Sequence, residues 1–254
     1  MAIAVVYCKS DRRKTVVVRP DTFILLKVQE KSSIVGYVND TECIPRLPWE
    51  TSMIKNDKWI VQMAQQGMIT PFEPQLVRKV SLSESNGSVN LRPVISYGLS
   101  SYGYDIRLSP SEFRLFQHVP GTVIDPKQFN AENLRPATLH SDDSGDFFIL
   151  PAHSYGLGVA MENLSVPENI TVICIGKSTY ARCGIIANLT PAEAAWRGHL
   201  TLEFSNSSSA DCRIYANEGI VQLLFLEGEP CEVSYDARQG KYQDQPEVVT
   251  LARV

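Results

Sequence analysis

The 254-residue chain reads as an all-β protein with a few short helices, a sandwich or jelly roll, and three observations point there. Short runs rich in Val, Ile, Tyr and Phe recur between turn signals from about Ile95 onward. Glycine and proline, 15 of each, punctuate the chain too often for long helices. Residues 199–205 alternate polar and apolar side chains with the period of two that belongs to a half-buried strand.

The elements follow in order. Residues 1–52 differ from the rest, with short β-type runs at 15–18, 23–28 and 34–38 before Pro45-Arg46-Leu47-Pro48, and read as an N-terminal extension or small β appendage. A main domain then spans 53–254, with a second possible start at Met53. Trp59, Ile60, Met63 and Ala64 fall at helical spacing, so the pattern predicts a helix capped by Asn56 or Asp57 and ended by Gly67. The polar, Gly/Ser-rich stretch 81–88 predicts an exposed loop. Strands are predicted at 104–108, 147–150, 155–161, 171–175, 199–205 and 220–226.

Composition narrows the function classes. A hydrophobic content of 44% supports a sizeable core, and a net charge of −4 argues against nucleic-acid or anionic-membrane partners, which require a basic face. The apolar runs fall far short of the roughly 18–20 residues of a membrane helix. Six cysteines without a CxxC pair, and no leader with a long apolar core, predict reduced thiols and a cytoplasmic location.

Three constellations carry candidate chemistry. Gly176-Lys177-Ser178-Thr179-Tyr180-Ala181-Arg182 follows an apolar strand and offers two cations and two aliphatic hydroxyls, a set suited to polyphosphate or, equally, a charged turn. It is not a P-loop, because Thr171 stands where that motif needs glycine. In 199–205, Leu200, Leu202 and Phe204 take one face and His199, Thr201, Glu203 and Ser205 the other. A carboxylate so placed is partly desolvated, which raises its pKa and suits it either to shuttling protons or to a strand salt bridge. Gln222 interrupts the apolar run 220–226 and needs a partner, a ligand or a neighbouring strand. The segment 234–245 mixes aromatics, cations and amides without core periodicity, so it either orders over a ligand or frays. The H-x-E and P-C-x-x-C signature of zinc deaminases is absent, His118, His140, His153 and His199 have no ligand spacing, and 152–156 lacks the first glycine of a nucleophile elbow. No metal ligand is assigned.

Taken together, 176–182, Trp196-x-Gly198, Thr201-Leu202-Glu203-Phe204-Ser205-Asn206 and Tyr215-Ala216-Asn217-Glu218-Gly219 closely resemble the dCTP deaminase family. The blocks at 96–105 and 240–243 extend the resemblance from about Met53 to the C-terminus. It implies a dUTPase-like distorted β jelly roll, homotrimeric, with active sites between subunits, and zinc-independent conversion of dCTP to dUTP and ammonia. Such a reaction supplies dUTP in pyrimidine deoxynucleotide metabolism. Mg2+ would arrive on the triphosphate. Glu203 matches the catalytic glutamate, with Ser178 and Arg182 reaching the reacting centre. Lys177, Ser178, Thr179, Tyr180, Ala181 and Arg182 would hold phosphates, and Thr201, Leu202 and Glu203 would line the pyrimidine. Gln222, Tyr235, Lys241 and Gln245 would add nucleotide contacts, the last three on a closing tail over about 234–254. A dUTPase, a bifunctional enzyme giving dUMP, and a non-catalytic nucleotide sensor are the rival readings. The chain departs from the family's T-P-x-E-P-x-W-x-G at Ala194, where the second proline is missing, so the loop lacks that restraint on its rigidity and on any water its carbonyls would place.

Overall fold

The computed structural model describes residues 2–8, 11–18, 53–83, 89–117 and 119–254, with backbone alone for 2–8, 11–18, 82–83 and 89. The chain divides into Met1–Glu50 and Thr51–Val254. In the first unit, β1 (Ala2–Cys8) and β2 (Asp11–Val18) form an antiparallel hairpin with Ala2 opposite Val18. The predicted run 15–18 falls in β2, and the apolar stretch that makes β1 was not among the predicted strands. The runs 23–28 and 34–38 and the 45–48 segment lie outside the described residues.

The second unit opens with α1 (Asp57–Ala64), where the Asn56 side chain accepts from Trp59 N at 3.2 Å. Asp57 adds an acidic group to the first turn, favourable beside the helix's unpaired N–H groups. Gly67, at φ 90°, follows the last turn as predicted. Strands then succeed one another: β3 (Ile69–Thr70), β4 (Leu76–Ser83), β5 (Val89–Ser100), β6 (Gly103–Phe116), β7 (Leu134–Pro136), β8 (His140–Asp142), β9 (Gly145–Leu150), β10 (Tyr155–Ser165) and β11 (Ile170–Gly176). The short helix α2 (Ser178–Ala181) separates these from β12 (Ile185–Asn188), β13 (Arg197–Asn206), β14 (Cys212–Tyr215) and β15 (Gly219–Glu227). The predicted loop at 81–88 begins later than expected, because β4 runs to Ser83; its remainder, 84–88, is outside the described residues.

All pairings between these strands are antiparallel. The main sheet runs β11-β15-β6-β10-β13-β12, with β5 on β6, β4 on β5, β7 on β6 and β3 on β10, while β14-β9-β8 forms a separate sheet. The long β6 serves two neighbourhoods: Tyr104–Arg107 pairs β15, and Leu108–Leu115 pairs β10. Its register shifts against both partners, so the strand turns from one wall of the core to the other, the corner device of a jelly roll.

The core is aromatic and branched-aliphatic. Phe113 stacks on Phe148 at 5.0 Å and meets Phe204 at 5.3 Å, and Ile60 of α1 joins them fully buried. Burying each such side chain stabilises the fold by about 1.5–3 kcal/mol. Gly156 and Gly158 make room for it, since a Cβ would stand 2.5 Å from the Phe113 ring and 2.6 Å from Leu108 respectively. A charge pair lies inside here: Glu162, fully buried, accepts from Arg107 Nε at 2.7 Å and from Arg107 N at 2.8 Å. No helix among the described residues is long and apolar enough to cross a membrane.

Candidate functional site

Strand β13 shows the predicted alternation. Leu200, Leu202 and Phe204 are buried, while His199, Thr201, Glu203 and Ser205 take the other face. In the antiparallel register Glu203 lies opposite Leu157 of β10 and opposite Asn188 of β12. Its Oε2 accepts from Asn188 Nδ2 at 3.2 Å. The carboxylate keeps more than a third of its surface open, yet it sits in a concave wall. Removal of water by that wall raises its pKa above the ordinary glutamate value, and the Asn188 bond acts in the opposite sense.

That wall bounds a groove of about 820 Å³ lined by Asn188, Thr201, Glu203, Tyr235, Lys241 and Gln245 among others. Five predicted site residues therefore meet here, two from β13 and three from the C-terminal segment. The segment is ordered along the strand rather than frayed. Thr201 Oγ1 donates to Gln245 Oε1 at 2.9 Å, and His199 N donates to Gln245 O at 2.9 Å. Gly198 sits at φ 130°, where a Cβ would stand 2.5 Å from Gln245 N. Only glycine permits so close a seat for the tail. Ionic contact is provided at the rim by Arg197 Nε and Asp244 Oδ1, 3.0 Å apart and both exposed.

The 190–198 loop forms another side of the groove, and its rigidity comes from the tail. Ala195 holds a left-handed φ of 64°, a conformation that costs a non-glycine residue energy and needs outside support. Tyr235 N donates to Ala194 O at 3.0 Å, Gln243 Nε2 to Ala195 O at 3.0 Å, and Trp196 Nε1 to Tyr242 O at 2.8 Å. Hydrogen bonds thus stand where the missing proline would have restrained the backbone.

The polyphosphate-type segment lies elsewhere on the surface. Gly176 backs against Ala187, whose carbonyl would come 2.9 Å from a Cβ there. Lys177 turns inward and pairs with Asp105, also donating to Ser96 Oγ at 3.1 Å. Burial pushes the Asp105 carboxyl up in pKa against the pull of Lys177 and Gln222, and its Oδ1 has no hydrogen-bond partner. Gln222, opposite Asp105 in the β15–β6 pairing, also donates to Ser100 Oγ at 3.4 Å. Ser178 and Arg182 are exposed and bonded to each other, Arg182 Nη1 donating to Ser178 Oγ at 2.9 Å. Thr179 and Ala181 are exposed as well. Two predicted contacts turn their side chains into the core instead: Leu202 is fully buried, and Tyr180 is buried with its hydroxyl accepting from Tyr215 N at 2.8 Å. For these two only the backbone remains available to a ligand.

Sequence reasoning missed Asn188 and the Asp105–Lys177 pairing. Asn188 ends an apolar strand just before Leu189-Thr190-Pro191, a polar intrusion that signals a local role, but its register with Glu203 is not written in either segment. His199 Nδ1 lies 3.0 Å from Ala160 O and His140 stacks on Phe147, whereas His118 is outside the described residues. Among the described residues no group of three or more His, Cys, Asp or Glu is placed to hold a metal ion. Cys174, Cys183, Cys212 and Cys231 are free thiols: Cys183 and Cys231 are exposed, and Cys174, half-buried, has its pKa pushed up to about 11 by desolvation.

Comparison with known proteins adds the remaining observation. Residues 54–228 match the family model described as dCTP deaminase-like. A dCTP deaminase of Aromatoleum aromaticum is 49% identical over 203 residues, covering 79% of this chain and 99% of that protein. Another from Paracidovorax citrulli is 51% identical over 194 residues, 76% of this chain and 95% of its own length. A solved 2'-deoxycytidine 5'-triphosphate deaminase from Agrobacterium tumefaciens aligns over 70% of this chain and 49% of that one, with a TM-score of 0.43 and 15% identity. That structural likeness is too distant to bear on the site, whereas the sequence relatives cover almost their whole length, and by them and the family match the chain belongs to the dCTP deaminase family.

Proposed function

We propose that the protein hydrolyses the 4-amino group of dCTP, giving dUTP and ammonia, with Glu203 as the group that moves protons. The observation that carries this reading is a carboxylate of raised pKa, held by Asn188 in a groove beside Thr201 and Gln245, in a chain whose relatives are named dCTP deaminases.

The chemistry fits one carboxylate. Water adding to C4 of the cytosine ring gives up a proton to Glu203; N3 then takes a proton, and the amino group leaves as ammonia after receiving another. One water is consumed and the C4 carbonyl of dUTP results. Raised pKa keeps the protonated form of Glu203 available nearer neutrality, so the same group serves as base and then acid. Asn188 fixes the carboxylate's orientation through its amide, and the tail residues narrow the groove around the reacting ring. The Arg182 guanidinium and the Ser178 hydroxyl stabilise charge and orient water.

Neither of those two residues lines the groove that holds Glu203. A site completed between subunits of a homotrimer accounts for this: one subunit presents the Glu203 wall, its neighbour the 177–182 segment. The triphosphate enters with its Mg2+, and the protein works in the cytoplasm, where exposed thiols such as Cys183 and Cys231 stay reduced.

Purified protein incubated with magnesium and dCTP, dCMP, CTP or dUTP in turn tests the proposal. Ammonia and dUTP from dCTP are expected. Release of pyrophosphate would add a second hydrolytic step, and tight dCTP binding without ammonia would overturn the enzymatic reading. Sedimentation of the same protein reads the assembly, with a trimer expected.

A further inference from the structure

The end of α2 and the segment leading into β14 are tied together at two points. At one, Gly184 O accepts from Ser207 N at 2.9 Å and from Ser207 Oγ at 2.8 Å. At the other, Tyr215 N donates to the Tyr180 hydroxyl at 2.8 Å. The first stretch rises from 180 to 184 while its neighbour falls from 215 to 207, so Cys183 and Cys212 lie between the two ties on facing stretches. The intervening turn closes on itself, Asn206 Nδ2 and Ser208 Oγ both donating to Ala210 O, at 2.8 Å and 2.9 Å, and this carries the chain back toward Cys212.

The two thiols differ in access. Cys183 is exposed and Cys212 is half-buried. Burial first, and the charge of the neighbouring Cys183 second, push the Cys212 thiol up in pKa, so the two sulfurs sense each other directly. Neither has a part in the proposed dCTP chemistry. Cys183 nevertheless follows Arg182 immediately, at the point where α2 ends.

We infer that Cys183 and Cys212 form a reversible dithiol–disulfide site, oxidised by a small disulfide of the glutathione type, and that closing it restrains Arg182. The restraint bears on turnover only through the role proposed for Arg182, whereas the pairing of the thiols stands apart from it. Cys183, the accessible thiol, reacts first: its thiolate attacks the small disulfide, expels one small thiol and becomes a mixed disulfide. The thiolate charge facing Cys212 is then gone. Cys212 attacks the Cys183 sulfur and expels the second small thiol. Both cysteine protons end on the departing thiols, and the two electrons lost by the dithiol reduce the small disulfide. Cytosolic disulfides of this kind are transient, so the dithiol is the resting form. In the closed form the foot of α2 is tethered to β14, and the Arg182 guanidinium, bonded at rest to Ser178 Oγ, has less freedom to turn toward a reacting centre.

Purified protein equilibrated with glutathione and glutathione disulfide at a series of ratios, then mapped as unreduced peptides, tests the inference. A peptide pair cross-linked through Cys183 and Cys212 is expected. In that form kcat for ammonia release from dCTP should be about tenfold lower, since misplacing a group by about 1 Å can cost about 10²-fold. Dithiothreitol should restore the rate. Each variant is compared with its own reduced form: Cys183→Ser should keep its rate under the oxidant, and Cys212→Ser should stop at a mixed disulfide carrying one glutathione on Cys183. Absence of the cross-linked pair at every ratio, an equal rate loss in Cys183→Ser, or cross-linked protein that turns over at the reduced rate overturns the inference. Should reduced protein release no ammonia from dCTP, the proposed reaction fails, while the peptide pair and a fall in dCTP affinity on oxidation, read by calorimetry, still decide this site.

Discussion

The Glu203 groove and the 177–182 segment are built on opposite plans. In the groove, Glu203 is held by Asn188, Thr201 by Gln245, and the 190–198 loop by Tyr235, Gln243 and Tyr242, all within the same chain. In the segment, the charged groups are occupied with partners that a ligand would have to replace or share. Lys177 is paired with Asp105, and Arg182 with Ser178. The contrast teaches that the groove is preorganised by its own hydrogen bonds, whereas the cations of the segment are committed to other partners that they must give up before serving a ligand.

The largest test of this contrast is Glu203→Gln, expected to lower kcat by about 10²- to 10⁴-fold while dCTP still binds, as read by ammonia release and calorimetry. Stability should move the other way. A carboxyl whose folded pKa is raised binds its proton more tightly in the native state, so wild-type stability falls as pH rises through the window above the ordinary glutamate pKa. The glutamine variant lacks that penalty and should be no less stable near neutral pH by urea unfolding. Near-normal turnover would remove Glu203 from the mechanism.

Within the segment, Lys177→Ala and Arg182→Ala should separate cleanly. Losing Lys177 strands the buried Asp105 carboxylate, expected to cost roughly 3–5 kcal/mol, less at low pH where Asp105 takes up a proton. Arg182 is exposed, so its loss should change stability by no more than about 0.5 kcal/mol. Turnover should nevertheless drop about 10²-fold if it stabilises developing charge. Equal stability losses in the two variants would erase the distinction drawn here between an inward and an outward cation.

Gly198→Ala probes the tail's seat. Strain at φ 130° together with contact against the Gln245 backbone should cost about 1–3 kcal/mol, seen as faster amide exchange over 242–250 and raised KM. The smallest effect belongs to Asn188→Ala. Removing a bond that lowers the Glu203 pKa should shift the acidic limb of the kcat profile upward. A limb that stays in place would show that Asn188 does not tune the carboxylate.

Much of this was legible in the chain. Alternation alone placed Leu200, Leu202 and Phe204 inward and Glu203 outward, because a strand's period of two is a local property. Asn56 and Gly67 bounded α1 for equally local reasons. What stayed hidden was register. Asp105 and Lys177 are 72 positions apart, and Thr201 and Gln245 are 44 apart; which residues face one another depends on bulges such as that between Gly219 and Val221. Family resemblance named Tyr180 and Leu202 among the contacts of contiguous segments, but a contiguous segment in a strand or a short helix must send some side chains inward, and those are the two.

The seat of the C-terminal segment has a calorimetric consequence. Among residues 229–254, Val249 is the one buried apolar side chain and Tyr235 packs partly buried against the core, while the other ties are hydrogen bonds such as Thr201–Gln245 and Trp196–Tyr242 and the Arg197–Asp244 ion pair. Exposing polar surface lowers the heat capacity, whereas melting the Phe113–Phe148–Phe204 core exposes apolar surface and raises it. Release of the tail would therefore carry a smaller heat-capacity change than melting of the core, so a thermal scan would report chiefly on the core and little on the tail.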